Sequence, residues 1–165
     1  TDLFVGATVC VPNGAPRCNV CPVAEICQAR KRDIWRNLPV RSEKKKRKIV
    51  DKTVFVLLTE DTVALHKRSA SGLLAGMWEF PNVDAKLDKQ EAVTRVTGWQ
   101  TEPVDLLMQT SYTHIFSHVE WHMTAYYIRC RKTNKKWKWV TKESLDETYA
   151  LPSAFRPFRE QIENL

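Results

Sequence analysis

Thr53-Val54-Phe55-Val56-Leu57-Leu58 is an unbroken run of β-branched and apolar residues, and it reads as a buried strand. Glu60-Asp61 suits a hairpin turn, and Val63-Ala64-Leu65-His66-Lys67 reads as the strand that returns from it. After the glycine-bearing loop 71–76, Met77-Trp78-Glu79-Phe80-Pro81 is too short for a helix and is closed by proline. Residues 88–97 have helical character: Glu91, Ala92 and Arg95 are good formers, Val93 and Val96 share a face, and Gly98 is expected to act as the stop. From Val119 to Cys130 the chain alternates, with Val119, Trp121, Met123, Ala125 and Tyr127 on one face. Glu120, His122, Thr124, Tyr126 and Ile128 take the other, so a long, half-buried strand is expected. Trp137-Lys138-Trp139 alternates in the same way, which favours packing of both indoles over base stacking and turns Lys136 and Lys138 outward. Leu151, Phe155, Phe158, Ile162 and Leu165 recur at helical spacing after Pro152 and predict an amphipathic C-terminal helix that Pro157 shortens or kinks. Strands mixed with two helices define an α+β domain over residues 50–165, large enough for its own core.

Upstream of that domain the composition changes. Residues 28–52 hold eleven Lys or Arg against three acids, a surplus larger than the net charge of +7 on the whole chain. Such concentration is the pattern of a surface that tracks nucleic-acid phosphates, or of a solvated linker kept extended by its charge. Residues 30–49 are therefore assigned as a basic interdomain linker, with Arg41, Lys44, Lys45 and Lys46 as candidate phosphate contacts. Residues 1–29 carry four of the five cysteines, Cys10, Cys18, Cys21 and Cys27, among prolines that force turns. Four soft ligands so close together suit zinc or an iron-sulfur cluster, and spacing alone does not separate these from each other or from unbound thiols. Residues 1–9 lack the basic leader of a signal peptide, and no apolar run approaches the ~18 residues that cross a bilayer, so an intracellular protein without membrane attachment is expected.

The order Cys10, a proline-bearing loop, Cys18-x2-Cys21-Pro22, then Cys27 resembles the 4Fe-4S motif of MutY and endonuclease III glycosylases, with the first spacing one residue longer here. Leu3-Phe4-Val5-Gly6-Ala7-Thr8-Val9 is similar to the end of the family's last helix before the cluster. Gly72-Leu73-Leu74-Ala75-Gly76-Met77-Trp78-Glu79-Phe80-Pro81 resembles the Nudix-like C-terminal domain of MutY-type adenine DNA glycosylases, and Tyr149-Ala150-Leu151-Pro152-Ser153-Ala154 looks like its closing segment. The resemblance implies a structural 4Fe-4S cluster on the four cysteines, zinc being the alternative, and makes Arg17 a phosphate contact in the loop that approaches DNA. The implied architecture is a Nudix-like mixed β-sheet with flanking helices, preceded by a small iron-sulfur loop segment.

Nudix hydrolysis needs Arg-Glu-aliphatic-x-Glu-Glu-x-Gly on one helix, because the glutamates hold the Mg²⁺ ions that neutralise a diphosphate. With Gly98 on the box glycine, the paired glutamates fall on Arg95 and Val96, and the preceding Arg-Glu falls on Glu91 and Ala92. Diphosphate hydrolysis is therefore not expected. His114, His118 and His122 recur every four residues, yet on a strand such residues stand ~13 Å apart, too far to share an ion, and structural roles are expected for His114 and His122. Phe116-Ser117-His118, in contrast, is similar to the Phe-Ser-His loop with which MutY relatives read 8-oxoguanine opposite adenine. On that resemblance Ser117 reads the base, Phe116 wedges or stacks, and His118 braces the loop or meets a phosphate. The alternative is a plain strand-entry turn with Ser117 bonded to its own backbone.

In the family, excision needs a helix-hairpin-helix domain with a Glu and an Asp, and residues of that kind in a suitable context are expected before Thr1 rather than here. The chain is thus expected to be a monomeric, non-catalytic part of an adenine DNA glycosylase acting in base-excision repair. Its partners would be double-stranded DNA with 8-oxoguanine:adenine mismatches and the missing N-terminal catalytic domain. It would act in a bacterial cytoplasm, or in the nucleus or mitochondrion of a eukaryote. Competing readings are a zinc-dependent DNA-binding module and a Nudix nucleotide hydrolase.

Overall fold

The structure, a computed structural model, describes residues 5–11, 13–38, 40 and 46–165, all but the side chain of Asp146. The chain forms two compact units, Thr1–Lys45 and Lys46–Leu165. The second is built on β1 (Lys48–Leu58), β2 (Thr62–Lys67), β3 (Trp78–Glu79), β4 (Asn82–Val83), α3 (Lys89–Gly98), β5 (Pro103–Ile115), β6 (Val119–Cys130), β7 (Lys138–Thr141), α4 (Ser144–Glu147) and α5 (Arg156–Gln161). The first holds the single-turn helices α1 (Val5–Thr8) and α2 (Gln28–Lys31). No described helix is long and apolar enough to cross a membrane.

The strands form one mixed sheet in the order β3-β2-β1-β6-β5, with β4 on β1 and β7 on β2. β1 runs parallel to β6 from Lys48 opposite Val119 to Leu58 opposite Arg129, and the other pairs are antiparallel. Because β1 is central and covered on both sides, its side chains divide between two cores. Val54, Val56 and Leu58 join Trp121, Met123, Tyr127, Phe155 and Phe158 on the face covered by α5. Phe55 and Leu57 join Ala92, Val96, Tyr126 and Ile128 on the face covered by α3.

β1 begins at Lys48, earlier than the apolar run from Thr53 suggests, because Lys52 is buried at 5% exposure with partners of its own. The alternating faces of β6 are as expected, but the strand is half-buried only in its first part. Tyr126, Ile128 and Cys130 pack into the α3-side core, so both faces are covered from Ala125 to Ile128, while Arg129 is exposed. Helix α3 starts at a capping box in which Asp88 Oδ1 accepts from the Glu91 N–H and Glu91 Oε2 accepts from the Asp88 N–H, each at 2.8 Å. Gly98 is not its stop. It lies within the helix, Trp99 is the C-cap, and the left-handed turn falls on Gln100 at φ 61°. Pro157 neither kinks nor shortens α5; it sits in the first turn, where its missing N–H costs no hydrogen bond.

Tyr127 is fully buried and its hydroxyl donates to the Phe158 carbonyl at 2.9 Å, which ties β6 to α5. Burial pushes its pKa from 10.0 up to about 12. The native state therefore keeps a proton that the unfolded chain loses, so this stabilisation is complete below pH 10 and is lost as pH rises towards 12. Denaturation curves across that interval are expected to show falling stability, and Tyr127→Phe to flatten the fall. An equally steep fall in the variant would refute the assignment.

Candidate functional site

β5 and β6 meet in a tight hairpin closed by the Phe116 N–H on the Val119 carbonyl at 2.8 Å, which leaves Ser117 and His118 as its two tip residues. Both tip residues are exposed, and among the described residues Ser117 Oγ has no hydrogen-bond partner. The hydroxyl is thus presented to solvent rather than turned back on the backbone. Phe116 behaves differently. Its ring is half-buried and meets the rings of His114 at 4.6 Å and Trp121 at 4.8 Å between centroids. The tip is also anchored from the side, because the Lys48 N–H donates to the His118 carbonyl at 3.2 Å. The last residues of the basic stretch, Lys46, Arg47 and Lys48, are exposed and run directly into this anchor.

Beneath the hairpin lies a cluster that sequence reasoning missed. Trp121 is 4% exposed and carries the Lys52 ammonium 4.6 Å and the Arg68 guanidinium 5.6 Å from its ring centroid. Lys52 Nζ donates to Asn82 Oδ1 at 3.2 Å and is ion-paired with Asp84. Arg68 pairs with the buried Glu79 at 2.6 Å and donates from Nε to the Leu73 carbonyl at 2.9 Å, so it holds the loop that the 72–81 motif forms. That loop needs Gly72 and Gly76 because they take φ of 88° and 69°, backbone that other residues adopt only under strain. The one signal for this cluster in the sequence was a lysine inside an otherwise strand-like stretch.

The Nudix-box helix is α3. Ala92 and Val96, at positions where metal-binding glutamates would stand, are fully buried against Phe55 and Ile128, while Arg95 is exposed and Glu91 is engaged in the capping box. His122 Nε2 lies 2.7 Å from Glu120 Oε1, and His114 packs between Tyr112 and Phe116. Trp99, Trp137 and Trp139 pack on the α3-side core, and the indole of Trp139 donates to the Asn134 carbonyl. Among the described residues no group of three His, Cys, Asp or Glu is placed to hold a metal ion.

In the first unit Cys10, Cys18, Cys21 and Cys27 all line one cavity of about 40 Å³, walled otherwise by Val9, Pro16, Ala24, Ala29, Trp35 and the stems of Arg17 and Arg30. Local turns bring them there. Cys18 opens a 3₁₀ turn whose carbonyl accepts from the Cys21 N–H at 3.4 Å, and Cys27 is the N-cap residue of α2. Cys10 is exposed and the other three are half-buried. The lining offers four thiols and no carboxylate, the donor chemistry of an iron-sulfur cluster, but among the described residues no three of these cysteines converge into a group placed to hold a metal ion. Arg17 and Lys46 are exposed; Arg41, Lys44 and Lys45 lie outside the described residues.

A mixed sheet with a helix on each face and this glycine-turned loop defines the protein class. The NUDIX domain family model matches residues 53–161, and the chain belongs to that family. It is similar to the adenine DNA glycosylase of Schizosaccharomyces pombe, 23% identical over 213 aligned positions that take in 96% of this chain and 46% of that protein. The adenine DNA glycosylase of Buchnera aphidicola is 30% identical over 122 positions, 72% of this chain and 33% of the relative. The chain thus spans less than half the length of these relatives. Among solved structures, the C-terminal domain of mouse MUTYH, in a complex with human PCNA, superposes with a TM-score of 0.50 at 20% identity, over 69% of this chain and 87% of that one. The Staphylococcus aureus MutT protein, a Nudix hydrolase, gives 0.53 at 18% identity over 72% and 98%. These structural likenesses bear on the fold.

Proposed function

We propose that this chain is the DNA-binding, lesion-reading part of an adenine DNA glycosylase that removes adenine opposite 8-oxoguanine or guanine. The observation that carries the reading is the exposed hairpin tip, which offers the unengaged Ser117 hydroxyl and His118 on a ring-packed base. Oxidation of guanine turns N7 from an acceptor into an N–H donor and adds an acceptor at C8, and a serine hydroxyl can both accept and donate. Phe116 acts as the floor of the turn, His118 meets a phosphate or braces the tip, and Arg17 and Lys46, with Arg41, Lys44 and Lys45, supply charge to the DNA backbone. Excision of adenine belongs to another domain of the complete protein. The chain by itself is non-catalytic, a reading supported for diphosphate hydrolysis by the burial of Ala92 and Val96.

Cys10, Cys18, Cys21 and Cys27 would hold a 4Fe-4S cluster, a reading supported by their shared cavity. When bound, the group supplies a four-point thiolate cross-link that holds the loop segment in shape. The protein would work on DNA in a bacterial cytoplasm or in a eukaryotic nucleus or mitochondrion.

The test is equilibrium binding to matched duplexes carrying 8-oxoguanine:adenine or guanine:adenine. The chain is expected to prefer the lesion, and Ser117→Ala with His118→Ala to lose about 1–3 kcal/mol of that preference, roughly fivefold to 150-fold. Affinity for undamaged duplex should fall only by what a His118 phosphate contact contributes, less than the loss on lesion duplex. A double variant that discriminates as well as the parent would overturn the reading.

A further inference from the structure

We infer that Lys52 and Trp121 are specificity-determining positioning residues: a buried cation-π stack sets the height of the Phe116–His118 hairpin from below. This rests on the lesion-reading role proposed for Ser117. Lys52 is 5% exposed, so it does not meet a DNA phosphate, and its ammonium instead lies over the Trp121 ring at 4.6 Å. Its ionic partner Asp84 is 68% exposed, so most of the ion pair's attraction is screened by water. A methionine of similar length would fill the same space without desolvating a charge, and a stability role alone does not explain a lysine here. What the cation adds is orientation. It holds the indole in place, and the indole is the ring that Phe116 meets in a T-shaped contact, 4.8 Å between centroids. Phe116 in turn closes the turn through its N–H, so a tilt of Trp121 moves the Ser117 hydroxyl away from a base edge that must be met within hydrogen-bond reach. Arg68, 5.6 Å from the same ring, links this stack to the Gly72–Gly76 loop.

The test compares Lys52→Met, Lys52→Arg and Ser117→Ala in the whole chain, read by affinity for 8-oxoguanine:adenine and guanine:adenine duplexes and by denaturant unfolding. Lys52→Met is expected to fold with unchanged or raised stability, to bind guanine duplex as before, and to lose about threefold to tenfold of lesion preference. Lys52→Arg keeps a cation over the ring and should restore most of it. Trp121→Phe, which keeps an aromatic under Phe116 but weakens the cation contact, should lose preference in the same direction. If Ser117→Ala lowers preference while Lys52→Met and Trp121→Phe leave it intact, the positioning role is wrong and the reading role stands. If Ser117→Ala also leaves it intact, the reading role falls and this inference falls with it.

Discussion

Phe55→Ala is expected to destabilise the Lys46–Leu165 unit by about 3–5 kcal/mol, a large share of the roughly 5–15 kcal/mol that holds a domain of this size together. Phe55 is fully buried at the centre of β1, and its ring meets Trp99 edge to face at 4.9 Å. The cavity left by truncation would be walled by Ala92 and Val96 of α3 and by Tyr126 and Ile128 of β6, paired strands and a capped helix that cannot collapse inward freely. Urea unfolding followed by tryptophan fluorescence measures the loss. Ile115→Ala serves as the control, since Ile115 is 55% exposed and its truncation should stay within about 0.5 kcal/mol. A Phe55→Ala cost below about 1 kcal/mol would contradict the two-core packing.

Replacing Cys18 and Cys21 together by serine is expected to abolish iron and acid-labile sulfide in the purified chain and to open the Thr1–Lys45 unit to proteolysis. The reason is physical. Among its described residues, that unit has no helix beyond four residues and no strand, and four of its cysteines line one small cavity, so a bound group would supply much of what the segment lacks in core. The Lys46–Leu165 unit should keep its circular dichroism and its unfolding midpoint, because its two cores include no residue of the cysteine segment. Zinc without sulfide in the parent chain would replace the cluster by a zinc site. Full iron content in the double variant would remove these cysteines from the ligand set.

Where the chain advertises its structure locally, the sequence was sufficient. The run 53–58, the Glu60-Asp61 turn, the start of α3 and the alternation of β6 each follow from side chains a few residues apart, and each is present. Glycines at 72 and 76 mark a loop whose φ values demand them. β5 was legible only near its end. Its register shifts between Pro103 and Asp105 and again between Leu106 and Met108, and such irregularities break the alternation that reveals a strand. The end of α3 was misread for a related reason, since a glycine can close a helix but here the chain turns later, at Gln100. The hairpin tip was legible as a motif, and Phe116, Ser117 and His118 were named from it.

What the sequence by itself determined is thus the kind of molecule: a thiol-bearing segment, a basic stretch and an α+β NUDIX domain whose box lacks carboxylates at Arg95 and Val96. The tertiary structure decided how the tip is supported and which strand residues count as core. Lys52 and Trp121 are 69 positions apart, and they meet only because β1 lies parallel to β6 with Lys52 opposite Met123 and Val50 opposite Trp121. A charge on an apolar strand looks like an interruption in one dimension. In three it is a buried ammonium with a carboxylate, an amide and an indole around it, because pairing between distant strands supplies partners that no local pattern encodes.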